Sequence, residues 1–181
     1  MNDQTLDTMK KYMGTPIGKM AGGLAAVAAL CGLLYFTMDG EARLGVLIFF
    51  GIAFVIILAV CLWIQLKLKL LLSRFEKAGK LEELANDFEK SVPAAGDTIR
   101  MGEKYCFGKG CSDAVAFSDI TRIVHYCRIT NGAVSDRSLR YDTKEKENKL
   151  LCALPRYKGY ESAVTEICAA LLLRNPGIRI G

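Results

Sequence analysis

Two stretches near the start of the chain, residues 20–38 and 44–64, contain no charged side chain, and each is long enough to cross a bilayer as a helix. At about 1.5 Å per helical residue they reach roughly 28 and 31 Å, against a hydrocarbon core of about 30 Å. Only residues 39–43 separate them, so the expected arrangement is a transmembrane hairpin with a short extracytoplasmic turn. Within 181 residues, two such spans leave room for one domain of ordinary size and no second one.

The flanking charges orient the hairpin, because Lys and Arg beside a span are retained on the cytoplasmic side. Lys10, Lys11 and Lys19 precede the first stretch, and Lys67, Lys69, Arg74, Lys77 and Lys80 follow the second. The turn offers Arg43 beside Asp39 and Glu41. Both termini are therefore expected in the cytoplasm, with residues 1–19 as a cytoplasmic N-terminal segment. Tyr35, Phe36 and Trp63 fall at the span borders, where amphipathic rings prefer the headgroup layer. A cleaved signal peptide fits poorly, since a long segment precedes the first stretch and a second one follows at once. Neither stretch holds an ionisable residue, which argues against a channel or pump. The first is smooth, with Gly22, Ala25 and Ala29 among its small residues, and the second is bulky, with Phe49, Phe50 and Phe54. The bulky helix is the simplest partner for the smooth one.

Beyond Ile64 the pattern becomes amphipathic. Leu70, Leu71, Phe75, Leu81, Leu84, Ala85 and Phe88 recur at near-helical spacing among charged residues, so residues 65–96 read as a stalk helix and linker. The helix either prolongs the second span or breaks at Gly79, and Pro93 closes it. If its apolar side dips into lipid, Lys67, Lys69, Arg74, Lys77 and Lys80 are its headgroup contacts. If it packs on the soluble domain, they are a solvated face.

Residues 97–181 change character again, to short runs of β-branched and aromatic residues punctuated by Gly, Asn and Asp. Strands are expected near 98–101, 104–108, 113–117, 120–130, 137–143 and 149–154, joined as antiparallel hairpins. Val164, Ile167, Cys168, Leu171 and Leu172 then give a helical stripe over residues 161–174, and Asn175-Pro176-Gly177 stops it. The fold class is a membrane α-helical hairpin plus an α+β domain.

No residue pattern here carries catalysis, a cofactor or a metal. Five of the seven cysteines, Cys106, Cys111, Cys127, Cys152 and Cys168, lie in the part assigned to a reducing compartment and read as free thiols. Cys106 and Cys111 flank a Gly-rich turn and could form a redox pair, though spectator thiols are commoner. His125 is the only histidine and has no Cys-x-x-Cys beside it. Phe107-Gly108-Lys109-Gly110 is too short for a phosphate loop. The positive charge forms no stripe with interleaved aromatics, so nucleic acid is not an expected partner.

Strands in a meander followed by one capping helix resemble a pleckstrin-homology-like domain, a bent antiparallel sheet plugged by its C-terminal helix. Ala116-Phe117-Ser118-Asp119-Ile120-Thr121-Arg122-Ile123 resembles the aromatic-polar-Asp-Ile-x-x-Ile stretch of bacterial members. The chain end from Leu171 to Gly181 is similar to that of small bacterial two-span membrane proteins of unknown function that carry such a domain. The resemblance implies a multi-pass protein of the plasma (inner) membrane with residues 97–181 on its cytoplasmic face. In eukaryotic pleckstrin-homology domains basic residues of the first hairpin hold inositol phosphates, a region where this chain has Arg100, Lys104 and Lys109 in a different pattern. The expected partners are the lipid bilayer and a protein or a second copy, which makes the chain a non-catalytic interaction or scaffold module. A sensor of anionic lipid and an accessory subunit of a membrane enzyme or transporter are the alternatives.

Overall fold

The structure, a computed structural model, describes residues 3–14, 17–37, 40–111, 113–156 and 158–181. In chain order it has α1 (Asp3–Met13), α2 (Ile17–Thr37), α3 (Glu41–Lys77), α4 (Leu81–Lys90), β1 (Val92–Ala94), β2 (Ile99–Met101), β3 (Tyr105–Gly108) and β4 (Ala114–Ala116). A 3-10 turn over Phe117–Asp119 leads into β5 (Arg122–Thr130), β6 (Ala133–Asp142), β7 (Lys149–Ala153), α5 (Tyr160–Arg174) and β8 (Arg179–Ile180). The chain is α+β and divides into two units, one of Met1–Gly14 with Leu68–Gly181 and one of Thr15–Lys67.

The Thr15–Lys67 unit consists of α2 and α3 as far as Lys67. Among the described residues one helix, Ala42–Lys77, is long and apolar enough to cross a membrane, and the apolar stretch Ala21–Thr37 is shorter. Large apolar side chains such as Leu33, Phe36, Phe49, Val55 and Leu62 are exposed. A Cβ added at Gly22, Gly23, Gly32, Gly45 or Gly51 would meet nothing within 4 Å, so nothing packs closely against these five glycines. Met38, Asp39 and the side chains of Lys19, Met20 and Glu41, on which the first span's ends and flank were placed, lie outside the described residues.

The other unit takes in more than residues 97–181. Its first sheet is an antiparallel meander, β1-β2-β3-β4, and its second has the order β7-β6-β5-β8. The expected single meander of six strands is therefore eight strands in two sheets. β1 was hidden because Pro93, read as a helix stop, sits in an edge strand whose outer side needs no amide donor. β8 is two residues long and pairs in parallel with β5, beyond the reach of any periodicity argument.

β3 is buried along its whole length, and its alternating side chains serve two cores. Cys106 joins Ile99, Met101, Val115, Ile123, Leu139 and Cys152 beneath Ile167 and Leu171 of α5. Tyr105 and Phe107 face the other way, into a second cluster with Met9 and Met13 of α1, Leu68 of α3, and Leu84 and Phe88 of α4. The N-terminal segment thus contributes a structural helix, α1, to this core. The stalk packs on the domain through Leu68, Leu71, Leu72 and Phe75, while Leu66 and Leu70 stay exposed. It breaks where Gly79, at φ +67°, lets the Lys80 amide reach back to the Phe75 carbonyl at 2.8 Å and the Gly79 amide to Glu76 at 2.9 Å.

Asp87 locks α4 to the β2–β3 turn. Its carboxylate accepts the backbone N–H groups of Glu103 at 2.8 Å, Lys104 at 3.2 Å and Tyr105 at 2.9 Å, although the residue is only 6% exposed. Gly102 is required beside it, because a Cβ there would lie 2.0 Å from Asp87 Oδ2. Gly102→Ala should cost about 2 to 3 kcal/mol through this clash and the weakened bonds, and Asp87→Ala at least as much by orphaning three amides. Thermal melts followed by circular dichroism should show a fall of roughly 10 °C for either variant.

Candidate functional site

The eight cations expected at headgroups separate into two sets. Lys67, Lys69, Arg74, Lys77 and Lys80 are exposed, and among the described residues none of them is in an ion pair. Lys67 lies over the Trp63 ring, 5.6 Å from its centroid. These five remain available to an anionic surface.

Arg100, Lys104 and Lys109 are each engaged locally: Arg100 and Lys109 both lie over the Tyr12 ring, each 5.7 Å from its centroid, while Lys104 goes to Glu83. Lys104 pairs with Glu83 at 2.9 Å, a hydrogen bond that holds the Glu83 carboxyl below its usual range and raises the Lys104 ammonium. Lys109 pairs with Asp97 at 2.8 Å. Arg100 lies over Phe88 at 5.1 Å and Tyr12 at 5.7 Å, with Nη2 donating to the Ser91 carbonyl at 3.3 Å. Tyr12 draws the two turns together: its hydroxyl donates to the Asp97 carbonyl at 3.1 Å, and its own carbonyl accepts the Gly110 amide at 2.9 Å. Burial, and then the Asp97 carboxylate, push its phenol well above the ordinary range.

The thiols are free and mostly sequestered. Cys106 lies opposite Val115 in the β3–β4 ladder, not opposite Cys111, and burial drives its thiol far up. Burial also pushes Cys111 up to about 11 and Cys152 up to about 12. Such groups are protonated and poorly nucleophilic near neutrality. Cys127, on β5, is the exposed thiol of this unit. Among the described residues no three metal-ligating side chains converge. His125 stacks on Tyr160 at 5.9 Å, and the Arg137 guanidinium lies 3.5 Å from the same ring's centroid.

A cleft that the sequence did not disclose lies at the start of β5. It is an open cleft of about 540 Å³ between the 3-10 turn, the β6–β7 loop and the α5–β8 loop. Arg122 and Arg179 are direct neighbours on β5 and β8 and both line it, with Asp142, Glu147, Thr121 and Thr143 opposite or beside them. Asn175 fixes its walls. The side-chain amide donates to the Phe117 carbonyl at 2.7 Å and the Ile120 carbonyl at 3.3 Å, while Oδ1 accepts the Gly177 amide at 3.1 Å. Across the cleft Asp142 Oδ1 accepts the Asn148 amide at 2.6 Å, and the Thr121 hydroxyl donates to the Asp142 carbonyl at 3.1 Å. No sequence signal singles the pair out: the dipeptide Arg-Ile occurs at 122–123, 128–129 and 179–180, and only the strand register brings the first and last together.

No protein-family model, no curated protein and no solved structure matches this chain.

Proposed function

We propose that the chain is a membrane-anchored, non-catalytic interaction module, in which a two-helix hairpin holds a pleckstrin-homology-like unit at the cytoplasmic face of a bacterial plasma membrane. There it binds a protein partner or its own copy. The observation that carries this reading is that α1, which precedes the first apolar segment, shares a hydrophobic core with α4 and β3, which follow the second. A folded core lies on one side of a bilayer. A chain that leaves it after Gly14 and rejoins it at Leu68 must cross an even number of times. α2 as a whole has 21 residues, about 31 Å at the helical rise, a length that supports reading it as a second crossing beside Ala42–Lys77, the one described helix that is long and apolar enough by itself. The cation bias of the flanks puts the unit in the cytoplasm. The pleckstrin-homology-like reading draws support from a four-stranded meander followed by the β5-β6-β7 meander and a helix whose Ile167 and Leu171 are fully buried.

An impermeant maleimide applied to intact cells tests the topology. Cys127 should stay unlabelled until the membrane is opened, while a variant with Gly40→Cys should label at once. Labelling of Cys127 in intact cells, or protection of the residue-40 thiol, would refute the hairpin. The interaction half is read by light scattering of the purified full chain in neutral detergent. A protein mass twice the 19.9 kDa of one chain would make the partner a second copy, and a monomer would make it a different protein.

A further inference from the structure

We propose that the cleft at the start of β5 binds a small phosphate ester bearing hydroxyl donors, the chemistry of a glycerol phosphate. The inference stands apart from the anchoring argument, and its failure would leave that argument intact.

The first ground is the pairing of Arg122 with Arg179. They are register partners in a parallel pair, so their side chains leave the same face of the sheet from strands about 4.8 Å apart. Like charges placed directly opposite one another oppose strand pairing. Among the described residues neither arginine is in an ion pair. Asp142 is the neighbour of Arg122 on its other side, yet it makes no ion pair with it and its Oδ1 is committed to the Asn148 amide. The Arg122 guanidinium reaches along β8 to Gly181, and two guanidinium forks lining one cleft ask for an anion with more than one face of oxygens. A carboxylate satisfies one fork, whereas a phosphoryl group has oxygens for both.

The second ground is the acidic side of the cleft, Asp142 of β6, beside Arg122, and Glu147 in the β6–β7 loop. Asp142 and Glu147 would repel a bare phosphate, so the ligand that fits must present donors to them while its phosphoryl group meets the arginines. Hydroxyls next to a phosphate do this. The third is preorganisation, since the Asn175, Asp142 and Thr121 hydrogen bonds hold the walls in place without any ligand contact to order them. At about 540 Å³ the space lies within the range of small-molecule clefts, roughly 300 to 1,000 Å³.

Two sources share this chemistry, a free glycerol phosphate and the headgroup of a phosphatidylglycerol-type lipid. The test is isothermal titration of the full chain in neutral detergent with sn-glycerol 3-phosphate and, separately, with inorganic phosphate. Saturable one-to-one binding is expected, about tenfold tighter for the ester. Arg122→Gln and Arg179→Gln should each weaken it about tenfold or more, and Arg179→Lys should recover only part of the loss because the ammonium lacks the fork. Glu147→Gln should narrow the gap between the ester and inorganic phosphate. Both arginines and Glu147 are exposed, and unchanged melting curves will show that the fold survives each change. Repeating the titration in nanodiscs separates the sources. Weaker binding in phosphatidylglycerol discs than in phosphatidylcholine discs identifies the lipid headgroup as the occupant, and equal binding identifies the free ester. Absence of binding in detergent and in both kinds of disc, or equal binding by the Arg122→Gln, Arg179→Gln double variant, would overturn the proposal.

Discussion

Replacing Met9 and Met13 together by aspartate is expected to abolish folding of the unit that contains the sheets, although both residues lie in the first turns of the chain, far in sequence from every strand. Both side chains are fully buried. They close the apolar cluster formed with Leu84, Phe88, Tyr105 and Phe107. Truncation of one buried Met to Ala costs about 2 to 5 kcal/mol, and burying an unpaired charge costs more. A domain has about 5 to 15 kcal/mol in total. Loss of the cooperative melt and rapid proteolysis of residues 68–181 should follow. Thr8→Asp and Lys11→Asp, on the exposed side of α1, are the controls and should melt near the parent. If the double Met variant keeps a cooperative melt, α1 is not part of the core. The even-crossing argument for the hairpin then loses its ground.

What the sequence disclosed, and what it hid, follows from how local each signal is. The helix expected at 161–174 is Tyr160–Arg174, and the strand expected at 104–108 is Tyr105–Gly108, because alternation or a helical stripe within one window specifies each of them. The break at Gly79 was legible for the same reason, as the glycine supplies the positive φ that its turn needs. α1 was missed although Leu6, Met9 and Met13 lie three and four residues apart on a clearly amphipathic helix, since its low overall apolarity and mixed charge read as a polar flank and its purpose shows only against α4. β6 begins at Ala133, several residues before the expected 137, where polar Ser135 and Asp136 mask the strand.

The candidate site divides in the same way. Arg100, Lys104 and Lys109 are neighbours in sequence, and sequence reasoning grouped them. Folding sends Lys104 to Glu83 and gathers Arg100 and Lys109 over Tyr12, with Arg100 also over Phe88 and Lys109 paired with Asp97. Arg122 and Arg179 are distant in sequence and meet only because the tail after α5 turns back along β5, held by the Arg179 amide on the Thr121 carbonyl and the Gly181 amide on the Ile123 carbonyl. Pairwise charge proximity is created by strand register, which no single window contains.

Raising the pH above 9 should unfold this unit well before ordinary alkaline denaturation. Burial raises the thiols of Cys106, Cys111 and Cys152 above their ordinary value near 9. The hydroxyl of Tyr141, which donates to Asp113 at 2.6 Å, is likewise raised above its ordinary value near 10 by burial and then by that carboxylate. In each case the folded state holds the proton more tightly than the unfolded chain does. The unfolded chain therefore loses protons first as pH rises, and stability falls with pH at about 1.4 kcal/mol per unit for each group. The contribution is fully present below pH 9 and is lost as pH climbs towards the folded values of about 11 for Cys111 and about 12 for Cys152. By pH 11 the buried pair Cys106 and Cys152 alone should remove about 2 to 3 kcal/mol each, a large part of what a domain has. Melting temperatures in detergent with reductant should stay level from pH 7 to about 8.5 and drop steeply beyond 9. The Cys106→Ala, Cys152→Ala double variant should start lower at pH 7, for the packing lost, and then decline less steeply. Parallel curves for parent and variant would show that these thiols do not govern the alkaline limit.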